Sequence, residues 1–222
     1  MQPCLFAAQP RDHTAHLHKP SAPIHATAVH TMTQHTPPYE WQQGWLSSAR
    51  HLHSPNFGPR PANTSINLAV IHSISLPPGK FGTGCVQQLF TNQLDWSAHP
   101  YFESIRGLEV SSHFFITRTG EVWQFVSCED RAWHAGRSQW CGRENCNDFS
   151  IGIELEGLEG QTFESSQYHA LVDLLHALAA HYPITHIAGH EHIAAGRKKD
   201  PGPGFNWQQL QTQLHPLALH FP

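Results

Sequence analysis

INLAVIHS, residues 66–73, decides the architecture, because Ile66, Leu68 and Val70 fall on one pleat face and Ala69 and Ile71 on the other. A strand that is apolar on both faces belongs inside a sheet covered on both sides. Further along, residues 85–94 place Val86, Leu89, Phe90 and Leu94 at helical spacing, which predicts a helix laid on the sheet. Residues 110–117 and 121–126 are joined by Arg118-Thr119-Gly120, a glycine-containing turn that predicts an antiparallel hairpin. SIGIELE, residues 150–156, alternates strictly and predicts another strand. Tyr168, Leu171, Leu175, Leu178 and Tyr182 form one helical stripe that Pro183 ends. A strand over 184–190, a last helix over 207–214 and a short helix that Trp45 and Leu46 precede complete the set. The expected fold class is α/β, a single mixed central β-sheet flanked by helices.

A chain of 222 residues that is 39% hydrophobic has room for one core. Residues 1–40 differ from the rest: they are rich in His, Pro, Thr and Ala, show no hydrophobic period, and include His13, His16, His18, His25, His30 and His35. Such a segment buries too little apolar surface to offset the entropy of ordering, so a disordered extension is expected before an ordered domain over 41–222. A formal charge of -4 with 14% charged residues gives no basic footprint for nucleic acid. No apolar run reaches the roughly 18 residues of a membrane span. The five cysteines contain no CxxC pair and read as reduced thiols. Without a basic and then apolar leader at the N-terminus, the cytoplasm is the expected compartment, and a monomer the expected state.

GHEHIAAGRKKDPGPGFNW, residues 189–207, gathers two imidazoles, two adjacent lysines and an aspartate in one short stretch. Neutral imidazole nitrogen and carboxylate oxygen suit zinc, and a site with three protein ligands keeps a fourth position for water or substrate. This loop supplies two ligands at most, so at least one comes from elsewhere. His72, at the end of a covered strand, is a candidate, since strand ends feeding loops often carry reactive groups. With 20 histidines in the chain, each is as readily a hydrogen-bonded structural residue, and His192 competes with His190. Asp200 precedes Pro201, whose ring favours extended backbone before it, although the same pair also starts ordinary turns.

Glu154 lies on the face of SIGIELE opposite Ile151, Ile153 and Leu155. An acid there is either a sheet carboxylate bridged to an arginine or one balanced between desolvation and a nearby cation, fit to take a proton from an activated water. Glu156 is the other candidate for the bridged role. Lys198 places an ammonium where an oxyanion would develop, or forms with Lys199 a solvated surface pair.

Four segments in order, VIHSISLPPGKFG (70–82), RAWHAG (131–136), GRENCNDFSIGIELEG (142–157) and the 189–207 loop, resemble the zinc N-acetylmuramoyl-L-alanine amidase family, which includes phage T7-type lysozyme and the peptidoglycan recognition proteins. The likeness spans residues 41–215. It implies His72, His190 and Asp200 as Zn²⁺ ligands, with His192 outside the set, Glu154 as the catalytic carboxylate and Lys198 as its cationic partner. It also implies Trp133, His134, Arg143 and Asn147 in the substrate groove, with Asp148 bracing the same wall. The implied substrate is an anhydro-muropeptide, cut at the amide between the lactyl group of (1,6-anhydro-)N-acetylmuramic acid and L-alanine during muropeptide recycling. The sequence departs from the family at Asn145 and Glu109, where relatives carry basic residues suited to a stem-peptide carboxylate, which leaves Arg137 and Arg143 for that task. Two alternatives are a non-catalytic peptidoglycan-binding module and an envelope amidase acting on intact murein. Retention of all five reactive side chains favours the enzyme.

Overall fold

The strand read from INLAVIHS forms over Leu68–Ile74, second from one edge of a six-stranded sheet. A computed structural model describes residues 39–222, so residues 1–38 of the extension expected over 1–40, with its six histidines, lie outside the described residues, while Tyr39 packs against the core. The sheet strands are Arg50–His51 (β1), Leu68–Ile74 (β2), Phe114–Ile116 (β3), Val122–Gln124 (β4), Ser150–Glu156 (β5) and His186–Gly189 (β6), in the spatial order β6-β2-β5-β3-β4-β1. Only β3 and β4 pair antiparallel; the other neighbours run parallel, so the sheet is mixed, as expected. Outside β6, the segment around His220 pairs with the Thr185–Ile187 backbone. The helices are Cys85–Phe90 (α1), Pro100–Ser104 (α2), Ser165–His181 (α3), His190–Ile193 (α4) and Trp207–Gln213 (α5). None of them is long and apolar enough to cross a membrane.

The two faces of β2 and β5 have different work. Ala69, Ile71, Ile151 and Ile153 meet Leu171, Leu174, Leu175 and Leu178 of α3 in the main core. Each of these buried leucines contributes about 1.5–3 kcal/mol by leaving water. α3 is tied at its start by Gln167, whose amide accepts from Glu164 N–H and donates to the Ile116 and Glu156 carbonyls at the strand ends. On the opposite face, Leu68 and Val70 pack with Ala135, Cys146, Phe149 and Ile193. Phe115 packs on that face with Val86, Leu89 and Phe90 of α1 and Phe102 of α2. His72 and Glu154 occupy the stretch of sheet between these two clusters.

Several expected elements change. The short helix expected after Trp45 and Leu46 does not form: those two residues are the second strand of a small hairpin with Trp41–Gln42, and β1 at Arg50–His51 follows them. The hairpin's turn residues Gln43 and Gly44 have φ 49 and 75, which suits a two-residue hairpin, and a Cβ on Gly44 would meet Ser127 Oγ. α1 stops at Phe90 and not at Leu94, because Asn92 enters the left-handed region at φ 58. The expected strand over 110–117 pairs in the sheet only at Phe114–Ile116. β6 ends at Gly189, and His190 begins α4, so His190 and His192 share a helical turn and not a pleat face. α2 has no apolar period to announce it; Pro100 stands in its first turn and the His99 ring accepts the Tyr101 N–H.

Candidate active site

Parallel strands deliver the reactive side chains to one end of the sheet. His72 on β2 and Glu154 on β5 are direct register partners, and parallel neighbours in register point to the same face. His190 follows immediately after β6, which pairs with β2 on its other side. Asp200 comes from the loop after α4, where its carbonyl accepts the Glu191 N–H. Open α/β sheets place ligands at the carboxyl ends of their strands, and this cluster conforms to that rule.

His72 Nδ1 lies 3.0 Å from His190 Nδ1, and Asp200 Oδ2 lies 3.2 Å from the first and 3.1 Å from the second. Among the described residues, these three form the group whose donor atoms converge closely enough to share an ion. The outer ring nitrogens reveal which atoms face inward. His190 Nε2 stands 3.1 Å from the Ala135 carbonyl, which only accepts, so Nε2 carries the proton and Nδ1 is bare. Ser150 Oγ gives its hydrogen to the Cys146 carbonyl at 2.6 Å and therefore receives one from His134 Nε2 at 3.2 Å. His134 Nδ1 is then the acceptor for His72 Nε2–H at 2.9 Å, and His72 Nδ1 is bare as well. With both rings neutral, as metal binding requires, two imidazole lone pairs and a carboxylate oxygen face one another. A cation satisfies that arrangement, and the donor set is one that zinc accepts. Burial, reinforced by His190, pushes His72 down to about 4, so the ring is neutral at pH 7, as a metal ligand must be.

Glu154 is 8% exposed, and its Oε2 is buried without a hydrogen-bond partner. Burial drives its pKa well above the usual carboxylate range, Asp200 adds to the rise and Lys198 opposes it. Among the described residues, no arginine bridges it. Glu156 is the satisfied acid instead, accepting from the Gly82 N–H at 2.5 Å and the Arg118 N–H at 3.0 Å.

Glu154, His190, Lys198 and Asp200 share a cleft of about 540 Å³. Trp133 and His134 line the same cleft. Arg143 and Asn147, expected in the groove, do not line it. Arg143 lies in a small hairpin and stacks 3.8 Å over the Phe149 ring. Asn147 turns inward, where its Oδ1 accepts the N–H groups of His134 at 3.1 Å and Ala135 at 2.8 Å. Asp148 pairs with Arg131 at 2.9 Å. Asn145 takes φ 57, a backbone state that asparagine tolerates better than the basic residue expected there from the family. His192 lies outside the converging group; its Nδ1 accepts the Gly189 N–H at 2.9 Å.

Other supporting residues were silent in the sequence. Half-buried Arg60 donates to the carbonyls of Cys128, Asn147, Asp148 and Ser150, all within 3.1 Å, and so fixes the loop entering β5. Gly152 leaves room for the His134 ring: a Cβ there would stand 2.5 Å from His134 Cγ. Gly152→Ala is therefore expected to cost about 1–3 kcal/mol through overpacking, read as a lower unfolding midpoint, with displacement of the ring.

The sequence profile of N-acetylmuramoyl-L-alanine amidases matches residues 62–203. The chain belongs to the N-acetylmuramoyl-L-alanine amidase family. This amidase is similar to the 1,6-anhydro-N-acetylmuramyl-L-alanine amidase AmpD of Citrobacter freundii, with 47% identity over 178 residues that cover 79% of this chain and 95% of that one. A crystal structure of a selenomethionine AmpD derivative superposes with a TM-score of 0.75 at 46% identity, covering 78% of this amidase and 97% of that chain. Escherichia coli AmiD, solved with anhydro-N-acetylmuramic acid-L-Ala-D-gamma-Glu-L-Lys, gives 0.50 at 30% identity, over 79% of this chain and 65% of that one. The amidase is thus a hydrolase of peptidoglycan amide bonds, and its fold is that of its AmpD relatives.

Proposed function

We propose that this chain is a zinc-dependent amidase that cuts the amide between the lactyl group of (1,6-anhydro-)N-acetylmuramic acid and the L-alanine of the stem peptide, in cytoplasmic muropeptide recycling. The observation that carries the reading is the convergence of imidazole nitrogens of His72 and His190 with a carboxylate oxygen of Asp200, at the floor of a cleft that His190, Asp200 and Glu154 line. His72, His190 and Asp200 would hold the ion, with residues 41–222 as the amidase domain around it. When bound, zinc supplies Lewis acidity to the scissile carbonyl and acidifies the attacking water. Glu154 takes the proton from that water and passes it to the departing amine; a buried carboxylate with a raised pKa holds a proton long enough to deliver it. Lys198, on the same cleft wall, offers its ammonium to the oxygen on which negative charge develops. No covalent intermediate is needed.

The cleft suits an amphipathic fragment. Arg197, Lys198 and Lys199 line one part of it, matched to peptide carboxylates, while Leu76, Leu89, Tyr101 and Leu108 give apolar surface for a sugar face. The anhydromuramyl peptide bound by AmiD supports this substrate class. Release of L-Ala-peptide from anhydro-muropeptide is expected to stop after chelation and to return on addition of zinc. Turnover that survives complete metal removal would sink the zinc assignment, and faster release from insoluble sacculi than from the soluble fragment would move the enzyme to the envelope.

A further inference from the structure

We infer that the peptide segment His134–Ala135 is the outer support of both imidazoles, with His134 a positioning residue for His72 and the Ala135 carbonyl fixing His190. The inference rests on the reading of His72, His190 and Asp200 as metal ligands. One short segment meets both rings from outside: His134 Nδ1 accepts from His72 Nε2–H at 2.9 Å, and the Ala135 carbonyl accepts from His190 Nε2–H at 3.1 Å. Hydrogen bonds of this kind set which nitrogen of a ligand histidine is bare and where it points.

The segment is itself held from three sides. Asn147 Oδ1 accepts both of its backbone N–H groups. Arg197 Nη2 donates to the Ala135 carbonyl at 2.7 Å and to the Arg137 carbonyl at 2.8 Å, which ties the loop carrying Asp200 to the same segment. Ser150 closes the chain on His134 Nε2, because its own hydrogen is already given to the Cys146 carbonyl. The vacancy at Gly152 is independent support, since the strand gives up a side chain there and the His134 ring fills the space.

The zinc dissociation constant of the full chain, measured by competition with a chromophoric chelator, tests this for wild type, His134→Phe, His134→Gln and Ser150→Ala, with the unfolding midpoint of each metal-free protein recorded beside it. His134→Phe fills the slot but accepts nothing, and zinc should bind about 10- to 100-fold more weakly. His134→Gln restores an acceptor and should recover a large part of that loss. Ser150→Ala frees the His134 tautomer and should give a smaller loss in the same direction, and it decides the matter if the phenylalanine variant does not fold. Wild type that fails to bind zinc would refute the metal reading itself. Wild type that binds, with folded Phe and Ala variants binding equally well, would refute only the positioning role, as would a glutamine variant no better than phenylalanine.

Discussion

Replacing Glu154 by glutamine is expected to leave zinc in place and to lower kcat by about 10²- to 10⁴-fold, the usual loss when a general base or acid is removed. That loss corresponds to about 3–5 kcal/mol of transition-state stabilisation. Glutamine keeps the shape and cannot shuttle a proton, while His72, His190 and Asp200 are untouched. KM should change little, because the same groups still line the cleft. Near-normal kcat with full metal content would remove Glu154 from the mechanism. The substitution also has a signature in stability. Burial raises the folded-state pKa of Glu154 above its ordinary 4.5, so its protonated form favours the fold and that advantage is lost as pH rises through the folded value. In metal-free protein, the glutamine variant should therefore match wild type in acid and become the more stable of the two as pH rises above the ordinary carboxylate value. Equal pH profiles for the two proteins would contradict the burial of an unpaired carboxylate.

The second large effect is expected from His190→Ala. Removing one of three donors should drop zinc to near zero per chain, with turnover falling below detection. The chain should still fold, since the Ala135 carbonyl retains its bond from Arg197 and the deleted ring packs at the end of a short helix, not in the main core. His192→Ala is the matched control: its ring accepts the Gly189 N–H and packs edge-on near Trp207, so its loss should leave metal content intact. Elemental analysis of the two purified variants decides between the neighbouring histidines. Metal retained in His190→Ala and lost in His192→Ala would overturn the assignment.

Which parts of this were legible in the sequence follows from the range of the interactions involved. INLAVIHS and SIGIELE were readable because burial on both faces of a strand is written in consecutive residues. His72 and Glu154 stood out as polar groups on covered strands, but their pairing depends on sheet order, which no local pattern encodes. The choice between His190 and His192 was closed to spacing arguments, because it turns on where β6 gives way to α4. Trp45 and Leu46 misled because two large apolar residues suit the approach to a helix as well as a hairpin strand, and the deciding information was the Gln43-Gly44 turn before them. The supporting roles of Arg60, Asn147 and Arg197 were not readable, since each acts on backbone groups that come near only after folding. For the same reason Arg143 looked suited to the groove, although its guanidinium is taken up by the face of Phe149.

The residues around His220 bear on solubility. β6 is a border strand, and its outward backbone would offer open hydrogen-bonding positions to any other extended chain. His220 takes those positions, accepting from the Ile187 N–H at 2.9 Å and donating to the Thr185 carbonyl at 2.9 Å. Trimming the protein after Leu217 should leave the catalytic groups untouched and yet bare a sticky rim, so that light scattering by the shortened protein grows with concentration while its initial activity per molecule stays the same.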